Sequence, residues 1–209
     1  MAQIAGETVL IDRYPYTGEP KVTPVAEARV RNHLQLSHND DDQIVFGVAG
    51  YIHDATQEVE NRGNVSLIRQ KRRLVLEVDV CLDKVSIALP YGPVTSILGV
   101  YYLDVDGVQQ TLPGTAYRAS LLGATQSITF NSTVPSLLEG PGNLWVEYET
   151  GFGTAWEQVP ASWVGCVLIM AMRLYERREG TTGNIGADTA WERSFDRKIV
   201  AAGGNRRYA

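Results

Sequence analysis

An α+β fold is predicted for this 209-residue chain, and three features of its sequence predict it. Apolar residues recur at helical spacing in two early segments. A long middle stretch, Ser66 to Phe152, consists of short runs rich in Val, Ile, Thr and Tyr broken by Gly, Pro and Asp, and helical spacing returns after Val159. The expected arrangement is one α+β unit: a small helical bundle body, made of two N-terminal helices plus one C-terminal helix, with a β-rich insertion and an extended C-terminal tail.

Residues 1–22 contain Pro15, Gly18 and Pro20 and no helical period, so they are expected to form an extended N-terminal arm. A first helix is expected over about 23–36, with Thr23 as N-cap, Pro24 at the first helical position and Val25, Ala28, Leu34 and Leu36 as a modest apolar face. A second, over about 41–62, follows Asp40, Asp41 and Asp42 and carries Val45, Val48, Ile52, Ala55 and Val59 as one stripe, with Gly63 as a left-handed stop.

The β-rich insertion spans about 66–152. Its expected strands are Leu74–Val80, Lys84–Leu89, Thr95–Leu103, Val108–Leu112, Ala116–Leu121, Ser127–Phe130 and Leu144–Glu149, and Asp106-Gly107 suits a tight hairpin turn. A third helix over about 160–179 starts at Pro160 and places Val164, Val167, Leu168, Ala171, Leu174 and Tyr175 on one side. Cys166, Ile169 and Met170 add apolar residues on its other faces, so its first turns are expected to be buried. Gly180 should end it, leaving a flexible linker and tail over 181–209.

Composition narrows the function classes. Hydrophobic residues at 44% and charged residues at 21% are ordinary globular usage, and no run approaches the roughly 20 apolar residues of a membrane span. The first eleven residues lack a basic segment followed by an apolar one, so export is not expected. Cys81 and Cys166 lie far apart within apolar stretches and are expected as buried thiols. A formal charge of -5 disfavours general nucleic-acid binding, but the last nineteen residues hold five basic side chains against two acids.

Motifs for chemistry are weak throughout. The Asp40 to Asp42 cluster is explained by helix capping as well as by a hard cation, and Asp104-Val105-Asp106-Gly107 lacks the remaining ligands of a calcium loop. His33, His38 and His53 have no second ligand at metal spacing. Gly151-Phe152-Gly153 lacks the rest of a phosphate-binding fingerprint, and no nucleophile elbow is present. Glu147 and Glu149 share one face of a strand, a pair that could serve glycoside hydrolysis but is read here as the solvent face of a half-buried strand. No catalytic, cofactor or metal residues are assigned.

Taken in order, several of these segments resemble the head-tail connector family of long-tailed bacteriophages and gene-transfer particles, also called adaptor or head-completion proteins. The resemblance is carried by Glu19-Pro20, Thr23-Pro24-Val25-Ala26-Glu27-Ala28-Arg29, His33-Leu34, the aspartate cluster with Ile44, and Ala55 and Glu58. It continues through Leu89-Pro90, Pro93-Val94-Thr95-Ser96-Ile97, Val100-Tyr101-Tyr102 with Asp104 and Asp106-Gly107, and Tyr117. Its last block is Val146-Glu147-Tyr148-Glu149-Thr150-Gly151-Phe152, Val159-Pro160 and Leu174-Tyr175-Glu176-Arg177-Arg178-Glu179. Tyr91-Gly92 and Asn61-Arg62-Gly63-Asn64 depart from the family pattern.

The resemblance implies a non-enzymatic virion protein of the neck, present in the host cytoplasm during assembly. Copies would form a ring of about a dozen subunits with closed, head-to-tail contacts. That ring would dock on the portal, present a surface to a stopper or tail-completion protein, and let double-stranded DNA pass without sequence-specific binding. It also implies a C-terminal segment that reaches the portal. Trp191, Phe195 and Tyr208 suit it as apolar anchors, and Arg193, Arg197, Lys198, Arg206 and Arg207 as charge donors, in a segment that orders on its partner. On this reading, deleting residues 191–209 should spare the fold. The rival reading is a monomeric carbohydrate- or peptide-binding β module, with Trp145, Trp156 and Tyr148 as its aromatic platform.

Overall fold

The computed structural model describes residues 10–12, 22–36, 47–76, 86–123, 125–131, 138, 142–177 and 185–204. Among them the α+β class holds. The elements run β1 (Leu10–Asp12), α1 (Glu27–His33), α2 (Gly47–Gly63), β2 (Gln70–Leu76), β3 (Ser86–Ala88), β4 (Val94–Leu103), β5 (Gln109–Thr111), β6 (Tyr117–Ser120), β7 (Ser127–Phe130), β8 (Leu144–Thr150), α3 (Ala161–Arg177) and α4 (Ile185–Ala201). They divide into two compact units rather than the single one expected: a β unit of residues 1–19 and 70–151, and a helical unit of 20–69 and 152–209.

The β unit contains a five-stranded sheet, ordered β1-β2-β8-β4-β5, and a three-stranded sheet, ordered β3-β7-β6. The N-terminal arm therefore contributes a strand, Leu10–Asp12, antiparallel to β2. Two-residue alternation decides the faces of β8. Leu144, Val146 and Tyr148 enter a core shared with Leu74, Leu76 and Val100 of the large sheet and Ile128 and Phe130 of the small one, whereas Trp145, Glu147 and Glu149 take the other face. The Asp106-Gly107 turn forms as predicted, with Gly107 at φ +76° and the Gly107 N–H donating to Asp104 O at 2.9 Å.

The helical unit packs α1, α2, α3 and α4 around Val30, Ile52, Val59, Trp163, Val167, Phe195 and Ile199. Three expectations about its helices change. Helix α1 begins at Glu27 with Ala26 at the cap, because the Thr23 hydroxyl donates to Val25 O at 2.7 Å instead of capping an N–H, and buried Val25 anchors the turn before the helix. Helix α2 is described from Gly47, so the aspartate cluster at 40–42 lies outside the described residues, as does His38. The left-handed residue after α2 is Asn64, at φ +49°, while Gly63 is needed for space: a Cβ there would lie 2.7 Å from the Trp163 ring.

The fourth helix is the largest departure. An extended tail is expected after residue 181, yet Ile185–Ala201 is a 17-residue α-helix. Trp191, Phe195 and Ile199 recur every four residues and give it an inward stripe, and covering that stripe against α2 and α3 stabilises helix where a free segment of this composition would not hold one.

Candidate docking surface

Helix α4 sorts the expected docking residues into two groups. Phe195 is 1% exposed, and its ring stacks on Trp191 with centroids 5.0 Å apart. The Arg173 guanidinium of α3 lies 5.1 Å from the Trp191 centroid, and Arg62 of α2 pairs with Asp196 at 3.5 Å. These aromatic side chains hold α4 on its own unit. They are not free as anchors for a partner in this conformation.

Arg193, Arg197 and Lys198 are exposed; Arg193 and Arg197 lie on the side of α4 away from Phe195, whereas Lys198, three residues after Phe195, flanks the packed face near Cys166. Arg193 and Arg197, four residues apart, give the solvent side of α4 two basic side chains, with Val200 exposed one turn on. Arg206, Arg207 and Tyr208 lie outside the described residues. The helix was legible as a Trp191, Phe195, Ile199, Ala202 period. The basic and aromatic content after a glycine-containing segment suggested a disordered tail instead.

The other candidates take structural roles. Glu147 accepts from Arg73 Nη2 at 2.7 Å across β2 and β8, so its carboxylate neutralises a half-buried guanidinium. Asp104 caps the hairpin turn: it accepts from the Gln110 amide at 2.8 Å and from the N–H groups of Val108 and Asp106, and these bonds, Gln110's first, hold its carboxyl below the usual carboxylate range. His53 is exposed and meets Gln57 at 2.6 Å, and His33 is exposed at the end of α1. Cys166 is buried, which pushes its thiol pKa up; Cys81 lies outside the described residues. Among the described residues no group of three His, Cys, Asp or Glu side chains is placed to hold a metal ion.

The aromatic platform is not assembled. Tyr148 is fully buried, its hydroxyl donates to Pro90 O at 3.0 Å, and burial raises its phenol well above the ordinary value. Trp145 lies against Tyr101, centroids 6.0 Å apart, and is itself buried. Only Trp156 keeps substantial exposure. No helix among the described residues is long and apolar enough to cross a membrane.

No protein-family model matches the sequence, and no curated protein matches it. Solved structures do share the fold. A chain from the neck of an empty GTA particle computed with C6 symmetry superposes with TM-score 0.67 at 21% identity, over 98% of this chain and 97% of that one. A chain from the virion of a native gene transfer agent particle gives 0.62 at 19%, over 89% and 92%. One from the neck of a native GTA particle computed with C12 symmetry gives 0.57 at 20%, over 81% and 84%.

Proposed function

We propose that this chain is a structural subunit of a phage-like neck, an adaptor whose copies close into a ring on the portal and present a surface to the next neck or tail component. The observation that carries the reading is near-complete mutual coverage: both units align with one chain from a particle neck, leaving almost nothing of either chain unmatched. The C6 and C12 symmetry of the neck neighbours supports a ring, and about twelve copies is the number in keeping with it. The reading places the protein in the virion and assigns it no bond-making or bond-breaking step.

Charge supports a channel that does not retain DNA. Thirteen acidic and thirteen basic residues balance in the helical unit, so the whole formal charge of -5 belongs to the β unit. A net-negative wall repels phosphates and lets duplex slide past. The exposed Arg193, Arg197 and Lys198, with Arg206, Arg207 and Tyr208 beyond them, are the residues proposed to face portal or neighbour, while Trp191 and Phe195 act by holding α4 in place.

Electron microscopy of the purified protein, alone and mixed with a candidate portal protein, tests the reading. A closed ring stacked on the narrow end of the portal is expected. A monomer that never joins the portal or the particle would overturn it.

A further inference from the structure

The helical unit leaves two helix stripes open to solvent. On α3, Gly165, Ile169, Met172 and Glu176 follow one another at intervals of three and four residues and so lie on one side of the helix. Met172 is 41% exposed, Glu176 is exposed, Ile169 is half-buried, and a Cβ at Gly165 would meet nothing within 4 Å. On α4, opposite Phe195, Arg193, Arg197 and Val200 form a second stripe, with Val200 49% exposed. Among the described residues Glu176, Arg193 and Arg197 make no ion pair.

The two stripes have the same step pattern in opposite directions. From Ile169 the α3 stripe advances three residues to Met172 and four to Glu176; from Val200 the α4 stripe goes back three to Arg197 and four to Arg193. Laid antiparallel, they set Ile169 against Val200, Met172 against the aliphatic stem of Arg197, and Glu176 against Arg193. Gly165 leaves room at the next turn for the backbones to approach. Neither stripe suits itself: two α4 stripes would oppose arginines, and two antiparallel α3 stripes would place Glu176 on Ile169.

We infer that the α3 stripe of one copy docks on the α4 stripe of the next. Two different faces that fit each other and not themselves make a heterologous contact, which propagates around a ring instead of stopping at a dimer. This inference rests on the ring reading proposed above and names the contact that would close the ring.

The test uses necks isolated from particles assembled with the chain carrying Met172→Cys and Arg197→Cys together. Oxidation followed by non-reducing electrophoresis is expected to give a ladder of multimers reaching the full ring, while each single variant remains monomeric. Rings seen by microscopy with no cross-linked species would overturn the inference and leave the ring reading standing. Cross-linking that stops at dimers would also overturn it, since a heterologous contact has no reason to stop there. Necks that lack a ring of this chain would overturn the ring reading, and the inference with it. A charge exchange gives a second measure: Glu176→Arg is expected to cut ring yield about tenfold or more, and adding Arg193→Glu in the same chain to restore it. Failure of that restoration would count against the pairing.

Discussion

Phe195 is the residue on which α4 most depends. Its ring is buried among α2 and α3 side chains and stacked on Trp191, so Phe195→Ala removes both transfer energy and packing. A loss of about 3–5 kcal/mol is expected, read by urea unfolding with tryptophan fluorescence. Tyr148 plays the corresponding part in the β unit. Its folded phenol is raised above the ordinary value of about 10, first by burial and against the field of Arg72, so above that pH the unfolded chain releases a proton that the folded chain keeps. The stabilisation is complete below pH about 10 and declines as pH rises past it. Tyr148→Phe should therefore reduce the alkaline sensitivity of unfolding. At neutral pH the same change costs about 1–2 kcal/mol, by leaving Pro90 O without its donor. Cys166, buried and with its thiol raised, is expected to resist maleimide in the folded protein and to react once the chain unfolds.

Among the elements, the strands of the insertion were the most legible, because two-residue alternation and turn residues are local signals. Ser127–Phe130 forms within its predicted bounds, and the Asp106-Gly107 turn needed only the positive φ that glycine accepts. Helix ends were less legible. Whether Thr23 caps a helix or bonds to the next turn, and whether Gly63 supplies a left-handed residue or space for a ring, depends on partners remote in sequence such as Trp163. Helix α4 shows the same limit at full length: its period was present, but without α2 and α3 to bury the stripe an exposed segment of that composition would stay disordered. Of the residues expected to dock, Arg193, Arg197 and Lys198 are exposed, while Trp191 and Phe195 pack within the helical unit, a burial that only the fold reveals. Deleting residues 191–209 is now expected to uncover Trp163, Val167 and Cys166 and to lower the stability of the helical unit, where the sequence alone suggested a spared fold. Thermal unfolding of that truncation beside one lacking only residues 205–209 separates the two effects, since the shorter deletion leaves the described packing of α4 intact.

At the scale of the whole molecule, the division into two units has a thermodynamic consequence. One core is built from Val30, Ile52, Val59, Trp163, Val167, Phe195 and Ile199, and the other from Leu74, Val100, Phe130, Val146 and Tyr148, with no buried residue in common. Each unit is of a size that sustains its own cooperative transition. Unfolding of the isolated protein is therefore expected in two steps, and substitutions should sort between them. Phe195→Ala should move only the step that exposes Trp163 and Trp191, and Tyr148→Phe only the step that exposes Trp145. Calorimetry of the three proteins gives the answer directly. A single transition that shifts as a whole with either substitution would show the two cores to be coupled. Independent shifts would show that each unit is held by its own core, so that a substitution in one leaves the stability of the other unchanged.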